Sequence, residues 1–427
     1  MNKQYYPALD ETLYTETLSN GLRILVVPKP GFTKKMCYLV TDYGAVHRDF
    51  ALEGRSYSTP AGVAHYLEHK LFELPERDVT GEFAALGAHV NAFTSYDLTA
   101  YYFSCTEQFD HCLQLLLEFV FTPYFPEESV LRERGIIAQE IGMTADEPGN
   151  QVFESLMAAL YQQHPIRTPI LGTKESIEEI TPEILTLCHR AFYTPGNMLL
   201  CVIGDVHPEE IATMAEQFLG KNLRPMPSKA PLPQEALDSV TGLTQRQMEV
   251  AMPLFSLGFK CECPEKGEPA IRREVVGELA AETLFGEASA LYMQLYQDGL
   301  IDSSFGGGFE ASDGCAFFSC SGDSDDPQEI QQRILQEADR IARQGLDREE
   351  FLRMKRSSMG RRIRDLDSFD STCFRLCAYA LSDFDYFQFP ALYDSIGPEE
   401  IQEFIARWVK PENCALTIIY PIKEETP

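Results

Sequence analysis

The sequence of 427 residues lacks the long apolar run that a membrane-spanning helix requires. A helix that crosses a bilayer needs about 20 consecutive, mostly apolar residues, and the best candidate, residues 113–121, is interrupted by Glu118. The amino terminus, MNKQYYPALDETLYTET, also lacks the apolar core and the small-residue cleavage site of a secretory signal. We therefore expect a cytoplasmic protein that does not span a membrane.

Positive charge is also scarce. Lysine and arginine together number 36, against 65 for aspartate and glutamate, and the formal net charge is -29. Nucleic acids and anionic membranes are bound chiefly through lysine and arginine. The deficit therefore argues against both as partners, whereas a negatively charged cavity would favour basic peptides.

The sequence does contain enough apolar residues for stable cores. Apolar side chains make up 44% of the chain and charged side chains 24%, which excludes intrinsic disorder and low-complexity structure. The length favours two domains of about 200 residues each. The twelve cysteines are scattered, several of them inside apolar runs, so we expect reduced core thiols. Cys261 and Cys263 are the one close pair, and they lack the matching second pair of a typical metal site.

A proline-rich segment divides the chain. Residues 221–236 are polar, have no periodic apolar pattern and contain four prolines: Pro225, Pro227, Pro231 and Pro233. This composition is typical of an extended linker. We therefore predict an N-terminal domain at 1–225, a linker at 226–234 and a C-terminal domain at 235–427.

The order of strand-like and helix-like segments favours an α+β fold, because the two types mix without a regular alternation. Near the amino terminus, Asn20 and Gly21 separate the strand-like runs 13–18 and 22–27. Asn-Gly supplies the positive φ angles of a tight turn. These residues therefore predict a β-hairpin.

The two halves of the chain share a pattern at an offset of 216 residues. Each half has a helix start, a helix, a Pro-x-Asn turn and an apolar strand, in that order. The matching residues are Ile180, Pro182, Glu183, Pro195, Asn197 and Leu200 in the first half, and Ile396, Pro398, Glu399, Pro411, Asn413 and Leu416 in the second. Duplication explains such a pattern, so we predict two structurally related domains.

The strongest local motif is His65-Tyr66-Leu67-Glu68-His69. Thr59 and Pro60 are typical of a helix start, and apolar residues recur at helical spacing after them. On a helix, His65 and His69 lie one above the other on a face that Glu68 adjoins, so both imidazoles can bind one ion. The alternative is a helix with two ordinary surface histidines. A catalytic metal site would need one more protein ligand and a position for water.

The third ligand is expected on another helix, and residues 126–141 supply two candidates. Glu133 and Glu140 are seven residues apart, which places them two turns apart on a common helix face. The residues alone leave open which of the two is the ligand. They also leave open a solvated acidic face.

The sequence resembles the pitrilysin and insulinase group of inverted-motif zinc peptidases, which includes the mitochondrial processing peptidases. His-x-x-Glu-His is the signature of that group. The resemblance continues in the group's order through the hairpin at 18–23, through 91–101, through the helix at 132–140, and through 164–172 and 193–198. The segment His69-Lys70-Leu71-Phe72-Glu73 is similar to the corresponding segment of certain bacterial members.

The resemblance implies a role for each matching residue. His65, His69 and Glu140 would be the zinc ligands, and Glu68 the general base. Glu133 would be a second acidic residue that orients the site. The residues that would pair with the backbone of the substrate are Asn91, Ala92 and Phe93.

The resemblance implies a Zn²⁺-dependent endopeptidase or oligopeptidase that acts on unstructured peptides. Zinc held by two neutral histidines and a carboxylate acidifies a water molecule and polarises a peptide carbonyl, while Glu68 would transfer the proton to the leaving amine. Two alternatives stay open. One is a catalytically weak or inactive peptide-binding subunit of a heterodimeric peptidase, and the other is a maturation peptidase for a small modified peptide.

The second half departs from the group's pattern. Members usually carry an arginine before a Gly-Leu pair and a tyrosine after it, which grip the substrate and stabilise the oxyanion. Here Tyr296 stands in place of the arginine and Asp302 in place of the tyrosine. Losing one oxyanion donor can lower a rate by about a hundred- to a thousand-fold.

The group's catalytic chamber is a clamshell of two halves, and this chain has the size of one half. The resemblance therefore implies a second subunit that shares the chamber. We prefer a heterodimer with a related chain that supplies the arginine and tyrosine. A homodimer is the alternative.

Overall fold

The protein, seen here in a computed structural model that describes residues 1–422, has the predicted α+β fold. The chain forms two compact units, each assembled from separate segments. Unit 1 comprises Met1–Ile141, Pro169–Ala230 and Ile363–Gln388. Unit 2 comprises Gly142–Thr168, Pro231–Arg362 and the residues from Phe389 onward.

The strands within residues 1–422 are β1 (Asn2–Tyr6), β2 (Glu11–Thr17), β3 (Arg23–Pro28), β4 (Lys35–Thr41), β5 (Asp49–Leu52), β6 (Arg55–Ser58), β7 (Glu73–Leu74), β8 (Arg77–Asp78), β9 (His89–Thr94), β10 (Thr99–Cys105), β11 (Met198–Gly204), β12 (Ser228–Lys229), β13 (Leu243–Met248), β14 (Leu254–Cys261), β15 (Gly306–Ser312), β16 (Cys315–Asp323) and β17 (Cys414–Pro421). The α-helices within the same residues are α1 (Val63–Leu71), α2 (Val79–Ala85), α3 (Phe109–Phe121), α4 (Glu127–Asp146), α5 (Pro148–Leu160), α6 (Lys174–Glu178), α7 (Pro182–Phe192), α8 (Pro208–Leu219), α9 (Glu268–Phe285), α10 (Ala290–Gln297), α11 (Pro327–Gln344), α12 (Arg348–Arg364), α13 (Phe369–Leu381), α14 (Phe389–Ser395) and α15 (Pro398–Trp408).

The predicted amino-terminal hairpin is present. β2 and β3 pair antiparallel, with Thr17 opposite Arg23. Between them Gly21 has a φ of +92°, a conformation that glycine adopts at little cost. The side-chain oxygen of Asn20 accepts a hydrogen bond from the Leu22 amide at 3.0 Å. The turn is longer than two residues, since residues 18–22 separate the strands.

Helices cover both faces of the sheet of unit 1. On one face, Leu200 and Val202 of β11 belong to an apolar core that includes residues of α1, α3 and α7. On the other face, Tyr38 of β4 donates a hydrogen bond to Asp370 of α13 at 2.7 Å. Successive side chains of a strand point to opposite faces. Every residue of β11 is therefore buried, which explains its unbroken apolar sequence.

Helices α5 and α13 are exchanged between the halves of the sequence. α13, from the second half, packs against β4 and β11 of unit 1, whereas α5, from the first half, packs against β14 and β17 of unit 2. At Gly258 of β14 an added Cβ would lie 2.9 Å from Leu160 and 3.0 Å from Leu156. The predicted domains, 1–225 and 235–427, are continuous, whereas the compact units are not. An apolar pattern shows which side of a helix is buried but not which sheet the helix covers.

The sheets of the two units share one topology, as the prediction of two structurally related domains requires. In unit 2 the order is β13-β17-β14-β16-β15, with β13 and β17 parallel and the other pairs antiparallel. Unit 1 repeats this pattern as β3-β11-β4-β10-β9, extended by β1 and β2. The turn residues Asn197 and Asn413 make the same hydrogen bond, to the last carbonyl of α7 at 3.0 Å and of α15 at 2.8 Å.

Two further expectations concern membranes and cysteines. None of the helices within residues 1–422 is both long and apolar enough to cross a bilayer. The cytoplasmic location stays a prediction.

All twelve cysteines carry free thiols, and all except the half-buried Cys263 are buried, as expected for reduced core thiols.

Candidate metal centre

Helix α1, which carries both histidines of the motif, starts later than predicted. It begins at Val63, after Gly62, whose φ is +90°. The predicted N-cap, Thr59, lies outside the helix and donates its hydroxyl to the Arg48 carbonyl at 3.0 Å. An added Cβ at Gly62 would lie 2.5 Å from the Leu171 carbonyl oxygen. The position just before α1 therefore requires glycine, both for its positive φ and for the space beside the backbone of Leu171.

The side chains of His65, His69 and Glu140 converge. The imidazole rings of the two histidines lie 4.6 Å apart between centroids. Nε2 of His65 is 3.6 Å from Oε1 of Glu140, and Nε2 of His69 is 3.5 Å from Oε2 of the same carboxylate. Glu140 on α4 thus faces both histidines of α1, as the family resemblance implied.

Glu133, one of the two candidates that the residues alone left open, lies on the outer side of His69. Its Oε1 is 3.0 Å from Nδ1 of His69. This contact leaves Nε2 of His69 facing Glu140. A carboxylate on the outer nitrogen of a histidine fixes its ring orientation and raises its basicity as a ligand. Glu133 is therefore placed to orient the His69 ring, whereas Glu140 is placed beside Nε2 of both histidines, where it could be a third ligand.

The three converging residues fit a divalent metal ion. Across residues 1–422, they are the one group of at least three histidine, cysteine, aspartate or glutamate side chains whose donor atoms all lie within 4.8 Å of one another. Two imidazoles and one carboxylate are a donor set of catalytic zinc sites, in which the fourth position takes water or substrate. Cys261 and Cys263 do not take part in any such group within the described residues.

Charges in the site favour a cation. The hydrogen bond with His65 lowers the pKa of Glu140 although partial burial opposes it, so the carboxylate stays ionised. Burial acts to lower the pKa of His69, but the hydrogen bond to Glu133 and the charges of Glu68 and Glu140 outweigh it and raise the pKa. A positive charge is therefore stabilised between these carboxylates.

Glu68 lies on the same helix beside the converging side chains and has a defined partner. The hydroxyl of Thr94, the last residue of β9, donates to Oε2 of Glu68 at 2.6 Å. Sequence reasoning did not single out Thr94. The alternation of a strand was a usable signal, because it places Ala92 and Thr94 on one face, and Ala92 packs against the core that contains α1.

The predicted peptide-binding residues Asn91, Ala92 and Phe93 lie in β9, the terminal strand of the sheet. β9 pairs with β10, and Phe93 is opposite Ala100. Among the described strands β9 has no second neighbour. A terminal strand of this kind can accept an extended peptide as an added strand.

The two departures from the family pattern lie in unit 2. Tyr296 is 55% exposed and stacks on Tyr292 with ring centroids 6.2 Å apart. Asp302 accepts a hydrogen bond from the Ser304 amide at 2.7 Å. Neither residue provides the positive charge of an arginine.

Comparison with known proteins settles the family. Residues 54–174 match the family model described as insulinase (peptidase family M16), and residues 179–358 match the model described as peptidase M16 inactive domain. The uncharacterized zinc protease YmfH of Bacillus subtilis is 34% identical over 425 residues, which cover 97% of this chain and 98% of that protein. This chain belongs to the insulinase family, peptidase family M16. The resemblance inferred from the motifs is confirmed.

Further relatives of this M16 chain include a eukaryotic subunit and a solved structure. The beta subunit of the mitochondrial-processing peptidase of Caenorhabditis elegans is 31% identical over 216 residues, which cover 48% of this chain and 45% of that protein. The crystal structure of a putative M16-like peptidase from Alicyclobacillus acidocaldarius matches with a TM-score of 0.93 and 32% identity, over 97% of this chain and 99% of that one. The α+β fold is thus shared over 97% of the M16 chain.

Proposed function

We propose that this M16 protein is a Zn²⁺-dependent endopeptidase or oligopeptidase that hydrolyses unstructured peptides. The observation that carries the proposal is the convergence of His65, His69 and Glu140, with the two Nε2 atoms 3.6 and 3.5 Å from the carboxylate. The names of the bacterial relatives, described as zinc proteases, support the same metal and the same class of reaction.

Each side chain of the site would have a separate role in the reaction. His65, His69 and Glu140 would hold Zn²⁺, which when bound acidifies a water molecule and polarises a peptide carbonyl. Glu68 accepts a proton from the attacking water and passes it to the leaving amine. Glu133 accepts the Nδ1 hydrogen of His69 and so keeps Nε2 available as a ligand.

The backbone of the peptide would pair with β9 at Asn91, Ala92 and Phe93. Main-chain hydrogen bonds to a strand edge hold an extended peptide whatever its side chains. A folded segment cannot present its backbone in this way, which is why the substrate class is unstructured peptides. The net charge of -29 favours basic ones.

We further propose that a second subunit completes the site. Tyr296 and Asp302 replace an arginine and a tyrosine that would grip the substrate and stabilise the oxyanion. A related chain that carries both residues would restore these contacts in a heterodimer. A homodimer is the alternative, and it would have to stabilise the oxyanion differently.

The rival function is a catalytically weak or inactive peptide-binding subunit. The replacement of the arginine and tyrosine favours it, because the loss of one oxyanion donor can cost about a hundred- to a thousand-fold in rate. Peptide and metal would then bind without useful turnover by this chain.

Turnover of a fluorogenic peptide library, measured with the purified chain alone and with a related chain that carries the arginine and tyrosine, separates the two functions. Glu68→Gln should lower kcat by about a hundred- to ten-thousand-fold while zinc content stays the same. Exposed Glu127 on α4 provides the control, since Glu127→Gln should change neither. Unchanged cleavage by Glu68→Gln would exclude Glu68 as the base. Zinc binding without turnover in either arrangement would favour the rival.

A further inference from the structure

Lys70 is a buried charge that the proposed chemistry does not use. It follows His69 on α1 and is 1% exposed. Burying an ammonium group is costly unless it is paired and hydrogen-bonded. A lysine at this position therefore needs partners, and their location shows what the residue does.

The partners of Lys70 connect two helices. Its Nζ donates to the hydroxyl of Ser129 at 2.5 Å and to the carboxylate of Glu73. The Ser129 hydroxyl donates in turn to the same Glu73 carboxylate. Glu73 follows α1 closely in sequence, whereas Ser129 lies in the first turn of α4. Ser129 is itself only 3% exposed.

The contacts between α1 and α4 follow one another along both helices. Ser129, which bonds Lys70, is four residues before Glu133, which contacts His69. Glu140 follows two turns later and faces both histidines. The position of the first turn of α4 therefore sets where the two carboxylates of the site lie.

Apolar packing holds α4 at a few positions only: Val130 and Ile137 lie in the core, and the partly buried Ala138 and Ile141 pack against it. Of its 20 residues, the buried ones are Ser129, Val130 and Ile137. Leu131, Ile136 and Met143 are 53%, 53% and 73% exposed. A helix with so little apolar burial gains little positional restraint from packing. Its polar contacts must supply the rest.

We propose that Lys70 is a positioning residue, which with Glu73 and Ser129 fixes α4 against α1 and so holds Glu133 and Glu140 at the distance from the histidines that metal binding needs. The inference rests on the proposed function, because the ion is the Zn²⁺ of the proposed peptidase. It assigns the metal affinity in part to a residue that touches neither the ion nor the substrate.

The test is the Zn²⁺ dissociation constant of the full chain, measured by competition with a chelator. Ser129→Ala removes the hydrogen bond from Lys70 to α4 and leaves in place both the pair of Lys70 and Glu73 and the hydrogen bond from Tyr66 of α1 to the Val130 carbonyl. Lys70→Met removes the ammonium. Loss of a group that orients metal ligands typically weakens metal binding by about ten- to a hundred-fold. We expect a loss of this size for both variants.

Lys260 provides a matched control. Within residues 1–422 it is the other lysine that is 1% exposed, and it lies in unit 2, where it pairs with Glu235 at 3.3 Å. Lys260→Met should lower the stability of the fold and leave the Zn²⁺ affinity unchanged. An equal loss of affinity in Lys260→Met would reduce the effect of Lys70→Met to general destabilisation and overturn the proposal.

The outcomes separate this inference from the proposed function. If the native chain binds no Zn²⁺, the proposed function fails. If the native chain binds Zn²⁺ and Ser129→Ala binds it equally well, the positioning role fails while the proposed function stands. Should Lys70→Met not fold, Ser129→Ala decides alone, because it removes a single hydroxyl.

Discussion

Helices α1 and α4 of unit 1 and helices α9 and α12 of unit 2 come after equivalent strands of two sheets with the same topology. The carboxylates of the two helix pairs nevertheless have different basic partners. In unit 2, Arg362 of α12 is 3% exposed and bonds both oxygens of Glu278 on α9, at 2.5 and 2.7 Å. The hydroxyl of Tyr393 donates to the same carboxylate at 3.1 Å. The chain itself supplies the cation that this carboxylate requires.

In unit 1 the carboxylates Glu133 and Glu140 belong to α4, and they face imidazoles that carry a full charge only when protonated. The basic groups that contact these two carboxylates are the imidazoles of His65 and His69, whereas the basic group that contacts Glu278 is a guanidinium. The comparison indicates that one scaffold yields an internally neutralised helix pair where the basic partner is an arginine, and a candidate cation site where the basic partners are histidines.

The largest effect is expected from the loss of one proposed zinc ligand. His65→Ala deletes one of two imidazole donors, so the purified protein should lose its zinc, and peptide cleavage with it. Metal analysis of the purified variant measures this directly. His111→Ala, at an exposed histidine of α3, should retain the zinc. Full zinc content in His65→Ala would contradict the assignment.

The corresponding change in unit 2 should affect folding instead of metal binding. Arg362→Met leaves Glu278 partly buried without its partner, and breaking a buried ion pair in this way costs about 3–5 kcal/mol. Urea denaturation measures the free energy of unfolding. The double variant Arg362→Met with Glu278→Leu should recover part of the loss, because the carboxylate that bonds Arg362 most closely is removed with it, while Glu274, 3.8 Å from Arg362, keeps its charge. A variant as stable as the native chain would show that the pair contributes nothing.

Glu235 is a second carboxylate of unit 2 that the chain itself neutralises, and its contribution to stability can be measured as a function of pH. Burial opposes ionisation of Glu235, but three backbone amides, of Gln162, Gln163 and His164, and the charge of Lys260 lower its pKa to about 2. Because the folded pKa lies below the unfolded one, the stabilisation is complete above about pH 4.5 and is lost as the pH falls towards 2.

For Glu235 the lost stability should amount to about 2 kcal/mol, since each pKa unit corresponds to about 1.4 kcal/mol and residual solvent access reduces the total. Glu235→Gln should unfold more easily than the native chain at pH 7 and equally easily near the acid limit. Curves that stayed parallel from pH 7 to pH 3 would contradict this assignment.

The smallest effect is expected at Thr94, which contacts Glu68, the proposed general base. Thr94→Val keeps the β-branched shape that suits the end of β9 but removes the hydroxyl that donates to Oε2 of Glu68. We expect kcat to fall about tenfold, as for the loss of one hydrogen bond to a charged group, with KM and zinc content little changed. Thr94→Ser should restore the rate. An unchanged kcat in Thr94→Val would mean that Glu68 is oriented by other contacts.

Local signals predicted local structure well. Asn20-Gly21 predicted the hairpin because few other sequences tolerate positive φ angles. The spacing of His65 and His69 predicted a shared face, because the helical repeat is a property of the backbone. The start of α1 was predicted wrongly, since the helix begins only after Gly62, which has a positive φ and leaves no room for a Cβ beside the backbone of Leu171, a residue distant in sequence.

Contacts over long sequence distances escaped prediction. The burial of Lys70 depends on Ser129, 59 residues away, and a lysine in an amphipathic helix is ordinarily exposed. Helix α13 has an apolar face that two sheets of one topology could equally cover, and only the folded chain shows that it packs on unit 1.

The sequence alone determined the chemistry that is available: two histidines one turn apart, a glutamate between them, and a pair of carboxylates on a common face of another helix. These follow from backbone periodicity, which needs no knowledge of the rest of the chain. Only the tertiary structure decided that Glu140 meets the histidines while Glu133 stands behind His69. The distance between two helices depends on side chains that pack between them, and those side chains are far apart in sequence.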